Sequence, residues 1–309
     1  LVLLAALGGD PAPEGKRAAV CRTLAEADVV GVELSGVNRF LQAGEEKFET
    51  EWTEVLGRAV ELVEETWSNV AAGRMLNPLS LRRMVVELLS AGIETDGLWQ
   101  PPAGETRHGP HAVRVCLVSL LVGTGVELSD KLLQDLGIAA LVHDIGYTTC
   151  PPGAERSSLK QHLGGGARVM LAQRGFHEAK IHRILGLLYH HHNHRNLADT
   201  PSLFGRILRV AEDYDNLCGP GRGQYAPPVA LGAMATASGS YYDPTLFQVL
   251  VNRIGRYPPW TRVTLADGRR GTVLSPARGP NHDRPTVVTA DGQLVDLAEG
   301  GSITAVEGD

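Results

Sequence analysis

The sequence predicts a mainly α-helical protein, a helical bundle that ends in a small antiparallel β unit. Apolar residues recur at spacings of three and four from about residue 48 to residue 217, which is typical of amphipathic helices. Clusters of Gly and Pro separate several of these segments, and short alternating segments with hairpin signals follow residue 255. The chain has 309 residues, 43% of them hydrophobic, which is enough to bury a substantial core.

Two amphipathic helices are predicted ahead of the histidine-rich part of the chain. The first covers residues 48–70 and has an acidic face, so we expect a packing helix or an interdomain spacer. The second begins at Asn77-Pro78 and continues through Leu89. The first 45 residues favour no single structure, and we therefore assign residues 1–72 to an N-terminal region that is helical or uncertain.

Five helical segments follow in close order, and no strand pattern interrupts them. We place them at 107–123, 129–143, 157–174, 177–191 and 202–217. With their flanking residues they predict a helical domain over residues 73–255. The remaining residues, 256–309, contain Asp267-Gly268 and Asp291-Gly292 between short alternating segments, which predicts a small β tail resembling a barrel.

Composition excludes several classes of protein. The net charge is −6 with Lys and Arg scattered along the chain, so we expect no surface for a nucleic-acid polymer. The four cysteines lie far apart, which indicates reduced thiols in a cytoplasmic protein rather than a disulfide framework. The apolar opening, Leu1–Leu7, is too short to span a bilayer, and no membrane association is expected. The first residue is not Met, which fits a piece of a longer protein.

Histidine is the most informative residue type. The chain has 11 histidines, and all but one lie between His108 and His194. Adjacent His143 and Asp144 close one apolar helix, and each of the five predicted helices offers a metal-binding side chain near one end. Side chains that converge in this way from neighbouring helices are how a bundle assembles a dinuclear metal site.

Each of these features also has a simpler interpretation. His111 alone is more often a surface or capping histidine, and His162 stands just before three glycines that favour a turn. Consecutive histidines at 190–192 fit an adventitious metal-binding tract, and the acidic run at 212–215 is usually a solvated helix face. The joint occurrence of all four features, in this order, favours the metal site.

Five segments of the chain carry a family resemblance. They are His111–Val115, Leu136–Gly146, Lys160–Ala167, Tyr189–His191 and Arg206–Asp215. In order, they are similar to the motifs HSxRV, LxxAALLHDIGK, KxHPxxGA, YHHE and ARILxVADxYD. On these segments the chain resembles the HD superfamily of metal-dependent phosphohydrolases, and in detail its HD-GYP branch, over roughly residues 76–309. The fold that this implies is an HD-domain helical bundle followed by a small β unit.

The resemblance implies a set of metal ligands. Glu212 stands where the family has Asp, and Asp213 is an alternative ligand at this point. Some members hold a third metal with a Glu one turn before the first ligand, but Arg107 stands there, so we expect two divalent ions. Ligands of this type favour iron or manganese over magnesium and leave zinc open. The implied ligands are His111, His143, Asp144, His162, His190, His191 and Glu212.

The resemblance also implies residues that act on the substrate. Asp144 is expected to bridge the ions and, with Lys160, to take part in catalysis, while Lys160 and Arg206 are expected to contact phosphate. Tyr147 occupies a substrate-facing position where the family has Lys. His192 replaces the Glu that follows the histidine pair.

Two loops of the branch are also shortened. His162 follows His143 by only 19 positions, so most of the usual intervening loop is missing, and the GYP motif is absent from residues 193–201.

These matches and departures leave alternatives for function. We expect a bacterial phosphodiesterase that acts on a cyclic dinucleotide, cyclic di-GMP, with reduced activity. The alternative is a non-catalytic signalling module that binds a nucleotide or a protein partner. A homodimer is left open. Oxidative chemistry at a di-iron centre is known on this fold but has no specific support here.

Overall fold

The computed structural model describes eight stretches of the chain, and the account below concerns these alone. They are residues 52–91, 108–150, 159–175, 177–195, 201–219, 225–259, 261–277 and 282–307. The expectations for the first 45 residues, Arg107, and most of the shortened loops therefore lie outside the described residues. Among the described helices, none is both long and apolar enough to cross a membrane.

The two helices predicted before the histidine-rich part are present. Helix α1 is Trp52–Ala71 and helix α2 is Pro78–Ser90, which Asn77 caps by accepting a hydrogen bond from Leu79 N. Helix α1 buries its apolar face in the same core as the later helices, and α2 packs against α4. The packing interpretation of α1 is thus confirmed, although the domain boundary near residue 72 stays a prediction.

The helical bundle follows in the expected order. Its central helix, α3, is buried on all sides from Gly109 to Gly123, which explains why its apolar residues show little helical periodicity. Helix α3 contacts α1, α4, α7 and α9. The helices of the bundle are α3 Gly109–Gly125, α4 Asp130–Leu141, α5 Leu159–Leu171, α6 Glu178–Tyr189, α7 Leu203–Cys218, α8 Pro227–Ala237 and α9 Pro244–Ile254.

Helix α4 leads through His143 and Asp144 into a short 3₁₀ helix, Ile145–Thr149, which packs directly on α5. Gly146 makes this contact possible, because a Cβ atom there would collide with the backbone of His162 and of Gly166. The Gly that follows the His-Asp pair is therefore required for close packing. This approach brings the end of α4 next to the helix that carries His162.

A buried ion pair links helices α2, α4 and α6. Asp135 on α4 accepts hydrogen bonds from Arg183 on α6 at 2.5 and 3.2 Å, and Arg82 on α2 reaches the same carboxylate oxygen at 3.3 Å. Both Asp135 and Arg183 are almost fully buried. Because an isolated buried charge is costly, this pair fixes how α2, α4 and α6 meet.

The C-terminal strands form one antiparallel sheet in the order β4-β3-β2-β1-β5. The predicted hairpins are present, and Gly268 and Gly292 occupy their turns with φ of 86° and 85°. The sheet buries a small core of its own around Val263, Val273 and Val287. The mainly helical fold with a small antiparallel unit is thus confirmed, while closure of the sheet into a barrel stays a prediction. The strands are β1 Arg262–Leu265, β2 Arg270–Ser275, β3 Thr286–Thr289, β4 Leu294–Asp296 and β5 Ile303–Val306.

Candidate metal centre

All seven predicted ligands lie together inside the helical bundle. They form two groups of four that share Asp144, and within each group the potential ligand atoms lie within 4.8 Å of one another. Asp144 and the residue before it follow α4, one ligand each comes from α3, α5 and α7, and two follow the end of α6. The groups are His111, His143, Asp144 and Glu212, and Asp144, His162, His190 and His191.

Asp144 lies at the centre of the cluster, and each of its oxygens faces a different pair of imidazoles. Its Oδ2 lies 3.4 Å from Nε2 of His143 and 4.0 Å from Nε2 of His111. Its Oδ1 lies 3.6 Å from Nε2 of both His162 and His190. Two ligand atoms that each lie about 2.1 Å from the same ion are about 3.0 Å apart when they bind it at right angles. They are about 4.2 Å apart when they bind it from opposite sides. The observed separations fall within that range.

Three of the imidazoles are held by hydrogen bonds on the side away from the cluster. Nδ1 of His143 donates to the carbonyl oxygen of Ala140 at 2.8 Å, and Nδ1 of His190 donates to that of Leu187 at 2.7 Å. Nδ1 of His111 donates to Oδ2 of Asp215 at 2.6 Å. Because these oxygens can only accept, Nδ1 holds the proton and Nε2 is the atom presented to the cluster. Such outer hydrogen bonds are the usual support of metal-binding histidines.

Asp215 is a supporting residue that the site prediction did not include. Besides holding His111, it accepts from Nε of Arg114 at 2.5 Å and from Nη2 at 3.2 Å, and both side chains are buried. Burial alone would raise the pKa of Asp215, but the hydrogen bond from His111 and the charge of Arg114 hold it below its ordinary value. The only sequence signal was the last residue of the ARILxVADxYD-like segment.

Glu212, and not Asp213, belongs to the cluster. Oε2 of Glu212 lies 3.6 Å from Nδ1 of His191 and 3.9 Å from Nε2 of His190. Asp213 instead accepts a hydrogen bond from the hydroxyl of Tyr242 at 2.8 Å and pairs with Arg209 at 3.0 Å. One of the two candidates for this position is therefore brought to the cluster and the other is not.

The two carboxylates of the cluster have opposite pKa shifts. Burial, and next the charge of Asp144, raises the pKa of Glu212 to about 8. Burial also disfavours the charge on Asp144, but the nearby charge of His143 outweighs this and holds the pKa of Asp144 well below its ordinary value. Two buried carboxylates this close repel each other, and a cation between them would relieve the repulsion.

The cluster also contains buried polar atoms without a hydrogen-bond partner in the described part of the chain. Nε2 of His143, Oδ1 of Asp144 and Oε2 of Glu212 have no hydrogen-bond partner among the described residues. Buried polar atoms without a partner are rare and cost about 1–3 kcal/mol each. A divalent cation coordinated by these atoms would satisfy all three, so the donor set fits a metal.

Tyr147 lies against one of the candidate ligands. Its ring stacks on His162 with the centroids 4.2 Å apart and the planes at 11°. In this chain the residue at the position of the family's Lys therefore packs on an imidazole of the cluster. His192, which replaces the family's Glu, makes an edge-on contact with Tyr189 at 5.0 Å.

Neither of the two cations predicted to contact phosphate, Lys160 and Arg206, is a member of the two ligand groups. The side chain of Lys160 lies outside the described residues, although its backbone belongs to α5. Nη1 of Arg206 donates to Oδ2 of Asp243 at 2.5 Å, and Oδ1 of Asp243 caps α9 by accepting from Thr245 N at 2.9 Å. Binding of phosphate by Lys160 and Arg206 stays a prediction.

Comparisons with known proteins support this fold. No family model matches the chain. A curated cyclic di-GMP phosphodiesterase of Pseudomonas aeruginosa is 29% identical over 184 residues, which cover 53% of this chain and 43% of that protein. This chain therefore spans less than half the length of that relative.

Among solved structures, an HDG"Y"P protein of Bdellovibrio bacteriovorus matches with a TM-score of 0.54 and 14% identity over 77% of this chain and 78% of that chain. This likeness confirms the fold that the sequence resemblance implied. A cyclic GMP-AMP specific phosphodiesterase of V. cholerae matches with a TM-score of 0.38 and 20% identity, over 55% of this chain and 47% of that one.

Proposed function

We propose that this chain is a metal-dependent phosphodiesterase of the HD-GYP type that acts on a cyclic dinucleotide. The observation that carries the proposal is the pair of four-residue ligand groups that share Asp144 in a buried part of the bundle. The relative from P. aeruginosa is named as a cyclic di-GMP phosphodiesterase, which supports cyclic di-GMP as the substrate.

The two ligand groups, which share Asp144, support the proposal that the chain would hold two divalent ions. Imidazole-rich ligation with carboxylates favours iron or manganese. When bound, such ions lower the pKa of water to give a nucleophile and neutralise charge on a phosphoryl oxygen.

The protein's own residues position this chemistry. His143 and His190 present Nε2 to the cluster because carbonyl oxygens hold their Nδ1 protons, and Asp215 does the same for His111. Asp144 and Glu212 supply the negative charge that a cation needs at a buried site. Rigid support of this kind keeps the ligands in one geometry.

Slow turnover is part of the proposal. Tyr147 provides no positive charge where the family has Lys, and the residues that replace the GYP motif form a shorter segment. Losing one charged contact to the developing phosphoryl charge typically costs a few kcal/mol, so the rate falls on the order of a hundredfold or more.

One preparation of the full chain tests the proposal. Protein purified without chelator is expected to contain about two transition-metal ions per chain by elemental analysis and to open cyclic di-GMP to a linear product by chromatography. Replacing both His143 and Asp144 with Ala should abolish both signals. His177→Ala is the matched control, because His177 is exposed at the start of α6 and lies outside both ligand groups.

The alternative is a signalling module that binds the nucleotide without cleaving it. The stacking of Tyr147 on His162 favours this alternative, since it fills the position from which a Lys would reach phosphate. Metal-loaded protein that binds cyclic di-GMP but releases no product over hours would select the module. Protein that neither binds nor cleaves any cyclic dinucleotide would contradict both functions. The mass of the protein in solution distinguishes a monomer from a homodimer.

A further inference from the structure

Arg209 lies one helical turn before the candidate ligand Glu212 on α7. Its Nη2 pairs with Oδ2 of Asp213 at 3.0 Å, and only 14% of the side chain is exposed. Because Asp213 follows Arg209 by four residues, this pair draws the guanidinium along α7 to the level of Glu212.

Two further contacts hold this guanidinium in place. It lies over the ring of Tyr242, 6.0 Å from the centroid, and the hydroxyl of Tyr242 donates to the same oxygen of Asp213 at 2.8 Å. Arg209 and Glu212 stand three residues apart on α7 and are therefore neighbours on its surface, and Oε2 of Glu212 lies 3.6 Å from Nδ1 of His191. Arg209, Asp213 and Tyr242 thus form a closed triangle beside the His191 and Glu212 edge of the cluster.

Arg209 also has donor capacity that its contacts do not use. A guanidinium carries five N–H donors in a planar fork, and the Nε of Arg209 is buried without a hydrogen-bond partner among the described residues. Arg206, one turn earlier on α7, also has a buried Nε without a partner among the described residues, and it donates to the Asp243 carboxylate that caps α9. What distinguishes Arg209 is its position, because it stands one turn and not two before Glu212, and the family resemblance does not single it out.

We infer that Arg209 binds the anionic phosphoryl group of the ligand at the His191 and Glu212 edge of the metal cluster. The inference takes its class of ligand from the proposed phosphodiesterase function. Phosphoryl oxygens match the planar fork of a guanidinium, and a buried, already ordered Arg loses little freedom on binding. In the absence of ligand Asp213 occupies part of the fork, so an incoming phosphate competes with this carboxylate.

A purely structural role for Arg209 makes a different prediction. If the triangle only braces α7 against Tyr242, removing either Arg209 or Asp213 lowers stability and leaves anion binding unchanged. If Arg209 binds phosphate, the two substitutions act in opposite directions on phosphate affinity.

The test is calorimetric titration of inorganic phosphate into the full chain loaded with Mn²⁺, with equal metal content verified for every variant. Arg209→Gln is expected to weaken phosphate binding by about ten- to a hundredfold, the usual effect of losing a hydrogen bond to a charged group. Asp213→Asn is expected to strengthen binding severalfold, and this gain is expected to disappear when Arg209 is also Gln. Arg253→Gln is the matched control, since Arg253 is partly buried on α9 and donates to Thr124 instead.

Unchanged phosphate affinity in Arg209→Gln overturns the inference, and so does weaker binding in Asp213→Asn. If Arg209→Gln does not fold, Arg209→Lys replaces it, with an expected loss of roughly threefold or more because the charge stays and the fork is lost. Phosphate binding that depends on Arg209 without any cleavage of cyclic di-GMP would contradict the proposed function and support this inference. Cleavage of cyclic di-GMP together with phosphate binding that does not depend on Arg209 would support the proposed function and contradict this inference.

Discussion

Tyr147 has a structural contact that its sequence position does not reveal. Its ring is stacked on His162, a candidate ligand, at the position where the resemblance implies a phosphate-facing Lys. Two effects therefore oppose each other when Tyr147 is replaced. A Lys would bring a positive charge towards phosphate, but it would also remove the aromatic face that covers the imidazole.

We predict that Tyr147→Lys raises the turnover of cyclic di-GMP per bound metal by about tenfold and lowers the thermal midpoint. The added cation stabilises the developing phosphoryl charge, whereas the lost stacking contact weakens the packing of His162. Turnover normalised to metal content measures the first effect, and a thermal melt measures the second. Tyr147→Phe is the control, because it keeps the ring that stacks on His162. Equal turnover in the Lys variant and the wild type would count against the substrate assignment.

Asp215 connects a buried charge pair to a candidate ligand, and its contribution can be measured separately from that of the ligands. Asp215→Asn keeps the size of the side chain but removes the negative charge that pairs with Arg114. It also leaves one acceptor oxygen where Asp215 has two, one for Nδ1 of His111 and one for Nε of Arg114. We predict that the metal affinity falls by about ten- to a hundredfold, which is typical of lost outer hydrogen bonds. Competition with a coloured chelator measures this affinity, and Asp283→Asn serves as an exposed control. An Asn variant with the affinity of the wild type would show that Arg114 and Asp215 act on stability alone.

At the scale of single elements, local patterns predicted most of the helices and both hairpins. Helices α1, α2 and α7 have one apolar face, and the turn glycines Gly268 and Gly292 stand where the Asp-Gly pairs indicated. The contacts between elements could not be predicted in this way. Spacing along the chain placed Glu212 and Asp213 on one helix, but only the packing of α7 against α3 and α6 decides which of them meets the histidines. Likewise, the sequence places Asp215 and Arg209 on α7, but only the packing of the helices shows that Asp215 contacts His111 and that Arg209 contacts Tyr242.

The close approach of the 3₁₀ helix to α5 gives a prediction with an internal control. Gly146→Ala places a Cβ atom against the backbone of His162 and Gly166, so the two segments must separate. We predict a loss of about 1–3 kcal/mol in the free energy of unfolding together with weaker metal binding, because His162 moves away from Asp144.

Gly164→Ala makes the same chemical change on α5 and meets nothing within 4 Å. It should stabilise the helix by about 0.5–1 kcal/mol and leave metal binding intact. Chemical denaturation and metal titration of both variants measure the difference. If the two variants behave alike, close packing at Gly146 does not position the site.

At the scale of the whole molecule, the helices and the strands bury separate cores. The larger core extends from Val55 on α1 to Ile254 on α9, whereas the sheet closes over a few residues such as Val263 and Val287. The proposed metal ligands belong to the bundle alone, and they come from five places that are far apart in the chain. An ion bound by all of them would link these segments, so its loss should be felt across the bundle.

Removal of metal should therefore lower the stability of the protein. A ligand that binds only the native state stabilises it by about 2.7 kcal/mol at a hundred times its dissociation constant. We predict that chelation of the wild type lowers the thermal midpoint of the helical signal by several degrees, which a melt followed by circular dichroism measures. The variant with Ala at both His143 and Asp144 should start from a lower midpoint and should not respond to the chelator.

The chelated wild type is the informative state in this comparison, because it retains two buried carboxylates in one cluster. Without a cation, Asp144 raises the pKa of Glu212 to about 8 after the larger effect of burial, so the metal-free site carries an unfavourable electrostatic interaction. Removing Asp144 relieves this repulsion. The thermal midpoint of the double variant should consequently lie between those of the metal-loaded and the chelated wild type. If the two substitutions only damaged the core, the double variant would have the lowest midpoint of the three. A wild-type midpoint that does not respond to chelation, in protein shown to lose its metal, would mean that the cluster does not link the helices through an ion.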